Sequence, residues 1–90
     1  MIIEIYGKPG CKLCQSAKKK VDHFLQKWDA ACHVQVVFHD METPEGAAEG
    51  DFFDVYEIPS VLLKADRNSV VARWDGQAPP SEELQQRLRA

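Results

Sequence analysis

Residues 8–14 read KPGCKLC: Cys11 and Cys14 stand two residues apart, behind a proline and a glycine, with Lys8 and Lys12 close to the first cysteine. The stretch follows IIEIY (2–6), an apolar run with β-branched residues that stops at Gly7, which is the signature of a short strand. It opens CKLCQSAKKKVDHFLQKW (11–28), where Ala17, Val21, Phe24, Leu25 and Trp28 recur at helical spacing and Lys18, Lys19, Asp22, Gln26 and Lys27 form the polar face. The cysteines are therefore expected where a strand turns into a helix. Unpaired N–H groups and the macrodipole at a helix start favour thiolate over thiol, and Lys8 and Lys12 add positive charge. Thiols in such places have pKa values of roughly 3.5–7.5, against about 8.5 when free. Cys11 is the expected nucleophile. Cys14, at i+3, lies on the same helical face within reach of Cys11. It is expected to be deeper and less acidic, as a thiol that resolves a mixed disulfide should be.

Working outward, VQVVFHDME (34–42) reads as a second strand. An acidic helix is expected to start at Thr43-Pro44-Glu45, with Thr43 as cap and Pro44 at the first helical position, and to run to about Tyr56. SVLLKA (60–65) and SVVARW (69–74) read as strands joined in a hairpin, and APPSEELQQRLRA as a closing helix with Ser81 as cap. The order βαβ, α, ββ, α implies parallel strands at the start and a small mixed sheet with helices on its faces. Pro59, immediately ahead of the third strand, cannot donate to a ladder; a cis Ile58-Pro59 bond would leave the backbone of Ile58 open to an extended substrate.

The 90 residues suit one domain spanning 1–90, with a hydrophobic fraction of 44% and a net charge of −3. That balance gives no reason to expect nucleic acid or an anionic membrane as partner. No apolar run approaches the roughly 18–20 residues of a membrane span. The start of the chain lacks a basic region before an apolar stretch, and Glu4 interrupts the apolar residues, so no export signal is expected and the cytoplasm is the expected setting. Three cysteines fit a secreted disulfide scaffold poorly.

Three functions compete for the cysteine pair. The leading one is dithiol–disulfide exchange. The second is a metal-binding or metal-transfer protein using both thiolates for a soft ion. His33 and His39 would be the further ligands, but 18 residues separate Cys14 from His33 where zinc-finger patterns have about 12–15, so no metal ligand is assigned. The third is a redox-silent binding module. Cys32 reads as a small buried hydrophobe, Trp28 as core, Trp74 as either core or rim, and Lys18-Lys19-Lys20 as a solvated helix face that can also steer an acidic partner.

Taken together, the βαβ start with CxxC at its helix, the IPS turn in YEIPSVLL (56–63) and a glycine after the fourth strand resemble the thioredoxin fold. The short length, without a further N-terminal strand and helix, resembles glutaredoxins and glutaredoxin-like redoxins, and the likeness covers nearly the whole chain. It implies an α/β thioredoxin-like fold, βαβ-α-ββα, with a four-stranded mixed sheet and three helices. It also implies an enzyme: a small oxidoreductase and electron carrier, monomeric, with no bound cofactor, acting on disulfide-containing proteins and recharged by glutathione or by thioredoxin reductase. By position, the resemblance makes Cys11 the nucleophile, Cys14 the resolving thiol, Pro59 the cis-proline and Ile58 the residue whose backbone pairs with glutathione. Lys8 would hold the glycine carboxylate of glutathione, and Asp75 and Gly76 would lie at its γ-glutamyl end. The chain departs from glutaredoxins in having Lys12-Leu13 between the cysteines, EIPS in place of TVP, and WDGQAPPSEE (74–83) in place of two glycines and an acidic pair. The last stretch partly resembles the W-S-G-F-R-P signature of redoxins that serve ribonucleotide reductase. Two prolines there donate no N–H, so weak or absent glutathione dependence is expected.

Overall fold

The computed structural model describes residues 1–30 and 32–89. Its elements are β1 (Ile2–Gly7), α1 (Lys12–Lys27), β2 (Gln35–Asp40), α2 (Pro44–Phe52), β3 (Ser60–Asp66), β4 (Ser69–Trp74) and α3 (Ser81–Arg89). The four strands form one mixed sheet in the order β2-β1-β3-β4. β1 runs parallel to β2 and antiparallel to β3, and β3 and β4 form an antiparallel hairpin. This is the architecture that the alternation of short apolar runs with amphipathic segments implies.

Strand alternation separates two packing layers. Ile3, Ile5, Val61 and Leu63 face one way and pack with Val21 and Leu25 of α1 and Leu84 of α3. Trp74 joins this layer, and its indole Nε1–H donates to Glu83 at 2.9 Å, so it is core. Trp28 packs partly buried against the same cluster and stacks on Phe24. On the opposite face Tyr6 and Leu62 meet Val55, with Met41 and Phe53 packed alongside. Thus α1 and α2 lie on opposite faces of the sheet.

Three sequence expectations are corrected. α2 stops at Phe52 rather than near Tyr56: Phe53 caps it, Asp54 takes a left-handed conformation (φ 56°), and Arg73 of β4 donates to the carbonyls of Phe53 (2.8 Å) and Asp54 (3.2 Å). A cation supplied from another strand satisfies carbonyls that a further helical turn would have used. In α3, the first helical bond runs from the Leu84 N–H to the Pro80 carbonyl (3.0 Å), so Pro80 occupies the cap position assigned to Ser81. Cys32 is exposed, not buried, because it lies in the turn between α1 and β2. The Thr43 cap is as expected: its hydroxyl accepts the Gly46 N–H at 3.0 Å, with Pro44 in the first turn.

Candidate active site

Cys11 is the N-cap of α1. Its backbone is extended, its carbonyl accepts the Gln15 N–H (3.1 Å), and its Sγ accepts the Cys14 N–H at 3.2 Å. A sulfur thus takes the place that an oxygen of Ser or Asp usually fills at a helix start. The hydrogen bond from the Cys14 thiol, then the Cys14 N–H, and more weakly the Leu13 N–H and the charge of Lys8, hold the Cys11 thiol below its ordinary value against desolvation. Cys14 is buried, and burial followed by the hydrogen bond to Cys11 pushes its thiol up. The two thiols are therefore differentiated as the helix-start argument requires: one half-exposed with its pKa lowered, one buried with its pKa raised.

Gly7 fixes the depth of the buried thiol. A Cβ at this last residue of β1 would lie 2.6 Å from Cys14 Cβ and 2.7 Å from its Sγ. Only a residue without a side chain lets α1 come this close to the strand. Tyr6 pairs with Ser60 across β1 and β3, so the antiparallel register carries Gly7 toward Pro59, one residue further on. The Ile58-Pro59 bond is cis, and Pro59 is buried while Ile58 is half-buried. Lys8 is exposed beside Cys11.

The 75–77 turn is engaged with the protein itself. Asp75 accepts two hydrogen bonds from Arg73, at 3.0 and 2.8 Å, and this pairing holds its carboxyl below the usual carboxylate range. Gly76 is left-handed (φ 75°), its N–H donates to Ser60 Oγ at 3.3 Å, and the Glu57 carboxylate lies against the spot a Cβ would occupy.

Sequence reading missed a second cluster, on the α2 side of the sheet. Lys64, fully buried, places Nζ 2.7 Å from Glu4 Oε1 and 4.0 Å from Glu49. The Tyr6 hydroxyl donates to the same Glu4 oxygen at 2.6 Å, and the His39 ring stacks on Tyr6 with Nε2 3.2 Å from that oxygen. Burial acts to raise the Glu4 carboxyl, but hydrogen bonds from Lys64 and Tyr6 and the Lys64 charge outweigh it, and the net shift is downward. Burial and the Glu4 bond push the Tyr6 hydroxyl well above its ordinary range. The available signal was one charge in each of two otherwise apolar strands, IIEIY and SVLLKA, with opposite signs. The register sets Lys64 opposite Ile2, diagonal to Glu4.

Glu4, His39 and Glu49 also bring ligand atoms within 4.8 Å of one another, but the Lys64 ammonium already supplies the positive charge that these carboxylates face. Among the described residues, no such group of potential metal ligands includes Cys11 or Cys14. His39 belongs to the buried cluster and His33 is exposed.

No protein-family model matches this chain, and no curated protein does. Solved structures do. Thioredoxin 1 from the thermophilic eubacterium Thermosipho africanus is 19% identical, with a TM-score of 0.74 over 99% of this chain and 92% of that one. Thioredoxin-2 of the malaria parasite, described as a component of its protein secretion machinery, is 17% identical with a TM-score of 0.74, covering 98% of this chain and 80% of its own. Oxidised mitochondrial thioredoxin 3 from Saccharomyces cerevisiae is 16% identical with a TM-score of 0.71 over 98% and 76%. These likenesses show a thioredoxin-like fold.

Proposed function

We propose that this protein is a small dithiol–disulfide oxidoreductase that reduces protein disulfides. The observation that carries the reading is the Cys11 sulfur at the N-cap of α1, accepting the Cys14 N–H while the Cys14 thiol is buried against Gly7. The Cys11 thiolate attacks one sulfur of a substrate disulfide. A Cys11–substrate bond forms, the substrate S–S bond breaks, and the second substrate sulfur leaves as thiolate and takes up a proton. Cys14 then gives up its proton and attacks Cys11, closing the Cys11–Cys14 bond and releasing the first substrate sulfur. Two electrons pass from the dithiol to the substrate. Lys8 favours the Cys11 thiolate, and the Ile58 backbone and the Pro59 turn form the wall against which the substrate chain lies.

The preferred reductant in this reading is a thioredoxin-reductase-type flavoprotein rather than glutathione. Glutathione needs donors for two carboxylates, and Lys8 offers one. At the other end the Gly76 N–H is directed to Ser60, Asp75 is paired with Arg73, and the Glu57 carboxylate stands over Gly76. Losing charge-assisted bonds of roughly 1.5–3 kcal/mol each weakens binding about ten- to a hundred-fold. The test compares turnover with NADPH and thioredoxin reductase against turnover with millimolar glutathione and glutathione reductase. Rates with glutathione that match an ordinary dithiol glutaredoxin would reject the choice of reductant. Loss of turnover in both Cys11→Ser and Cys14→Ser, with Cys14→Ser trapped as a mixed disulfide, supports the dithiol reading, and turnover retained in Cys11→Ser would reject it.

A further inference from the structure

The charges of this chain are sorted across its sheet. Residues 8–27, the cysteine loop and α1, carry six lysines and one acid; residues 40–57, from the end of β2 through α2 to the Pro59 turn, carry seven acids and no Lys or Arg. The two segments lie on opposite faces of the sheet. Part of the acidic charge of residues 40–57 is answered internally, since Lys64 lies 4.0 Å from Glu49 and the Arg73 guanidinium bonds the Phe53 and Asp54 carbonyls. Asp51, Asp54 and Glu57 remain exposed.

The redox centre sits on the border between these fields. On one side a shallow depression of about 310 Å³ runs from Cys11 along Lys12, Gln15, Ser16 and Lys19. Positions 12, 16 and 19 share a helical face, so both ammonium groups line one stripe leading to the sulfur. On the other side is the acidic 54–57 turn, ahead of Pro59. Each flank carries a large exposed side chain: Leu13, 70% exposed, follows Lys12, and Tyr56, 79% exposed, lies in the acidic turn with its hydroxyl on Asp54. Exposed large side chains among charged ones suit a protein-docking surface.

We infer that the partner is a protein whose reducible disulfide lies on a bipolar surface, with acidic side chains against the Lys12–Lys19 stripe and basic ones against the Asp54–Glu57 turn. The inference rests on the dithiol reading and names its substrate class. Net charge alone would select a basic partner for a chain of −3; sorted charge selects an orientation instead.

The experiment uses the reduced full chain in single turnover, with its own dithiol as reductant. The probes are peptides with one central cysteine held as a mixed disulfide with 2-mercaptoethanol. One has three glutamates before the cysteine and three lysines after it, a second has the reverse order, and a third has serines and glutamines on both sides. The two bipolar peptides have the same composition and net charge, so only their order can separate them. One order should be reduced about five- to tenfold faster than the other at low salt. The preference should collapse in 1 M salt, where the screening length falls to about 3 Å. Lys19→Glu should narrow it while leaving reduction of the uncharged peptide unchanged, and Glu57→Lys should narrow it from the other side. Equal rates for the two orders, with the uncharged peptide still reduced, would overturn the bipolar surface and leave the dithiol reading standing. No reduction of any of the three would overturn both.

Discussion

A sulfur atom as helix cap has a measurable signature. Because the Cys14 thiol, backbone N–H groups and Lys8 stabilise the Cys11 thiolate, Cys11 keeps its reactive form below the pH at which an ordinary thiol protonates, whereas Cys14 is held as thiol by burial. Alkylation near pH 6 should therefore modify Cys11 first, and its rate should fall only as pH drops through the depressed pKa. Prior labelling of Cys14 would reverse the assignment of nucleophile. Gly7 is the second residue-scale determinant. Gly7→Ala drives a methyl group into Cys14, an overpacking that costs about 1–3 kcal/mol. The same displacement should slow attack of Cys14 on Cys11, so the variant is expected to accumulate mixed disulfide in a quenched, non-reducing mass measurement. The placement of Cys11 at the helix start and of Cys14 at greater depth was legible because the CxxC spacing and helix-start electrostatics are local. The role of Gly7 was not, because its contact is made by a residue seven positions away.

At the scale of elements, boundaries set by local chemistry were legible and boundaries set from elsewhere were not. Thr43 and Pro44 announce the start of α2 in adjacent residues, and the structure uses them as expected. Its end depends on Arg73, twenty residues beyond Phe53, and no local signal marks it. The Glu4–Lys64 pairing across β1 and β3 is of the same kind: each charge is visible, but their partnership needs the register. Lys64→Met leaves the Glu4 carboxylate buried without its cation and should cost about 3–5 kcal/mol in denaturant unfolding. The double variant Glu4→Leu, Lys64→Met removes both charges and should recover much of that loss. A double variant as unstable as the single one would show that the pair is not the source of the effect. Thr43→Ala, which removes only a cap, should cost about 1 kcal/mol.

For the molecule as a whole, the buried carboxylate links stability to acidity. Glu4 ionises more readily in the folded chain than in the unfolded one. Its contribution is fully present above its unfolded pKa, near the ordinary glutamate range, and is lost as pH falls through the lower folded value. Asp75 and Asp66, both held low, act with the same sign. The melting temperature should therefore decline on acidification below about pH 4.5, and Glu4→Leu, Lys64→Met should flatten that decline. A decline unchanged in the double variant would assign acid sensitivity to the surface carboxylates instead. The fold was legible at this scale because seven short segments alternate in a single order. The sorting of charge across the sheet was not, since α1 and α2 acquire opposite sides only when the strands pair.

The misjudged burial of Cys32 has a practical side. This thiol is exposed in the turn after α1, and a 16-residue helix of about 24 Å separates it from the Cys11 end. Air oxidation is expected to couple a fraction of the molecules through Cys32, which a non-reducing mass measurement checks and Cys32→Ser should abolish. The same geometry makes the residue a built-in anchor: a maleimide surface or a fluorophore attached there, once the Cys11–Cys14 pair is closed as a disulfide, would hold or light the molecule from its blind side.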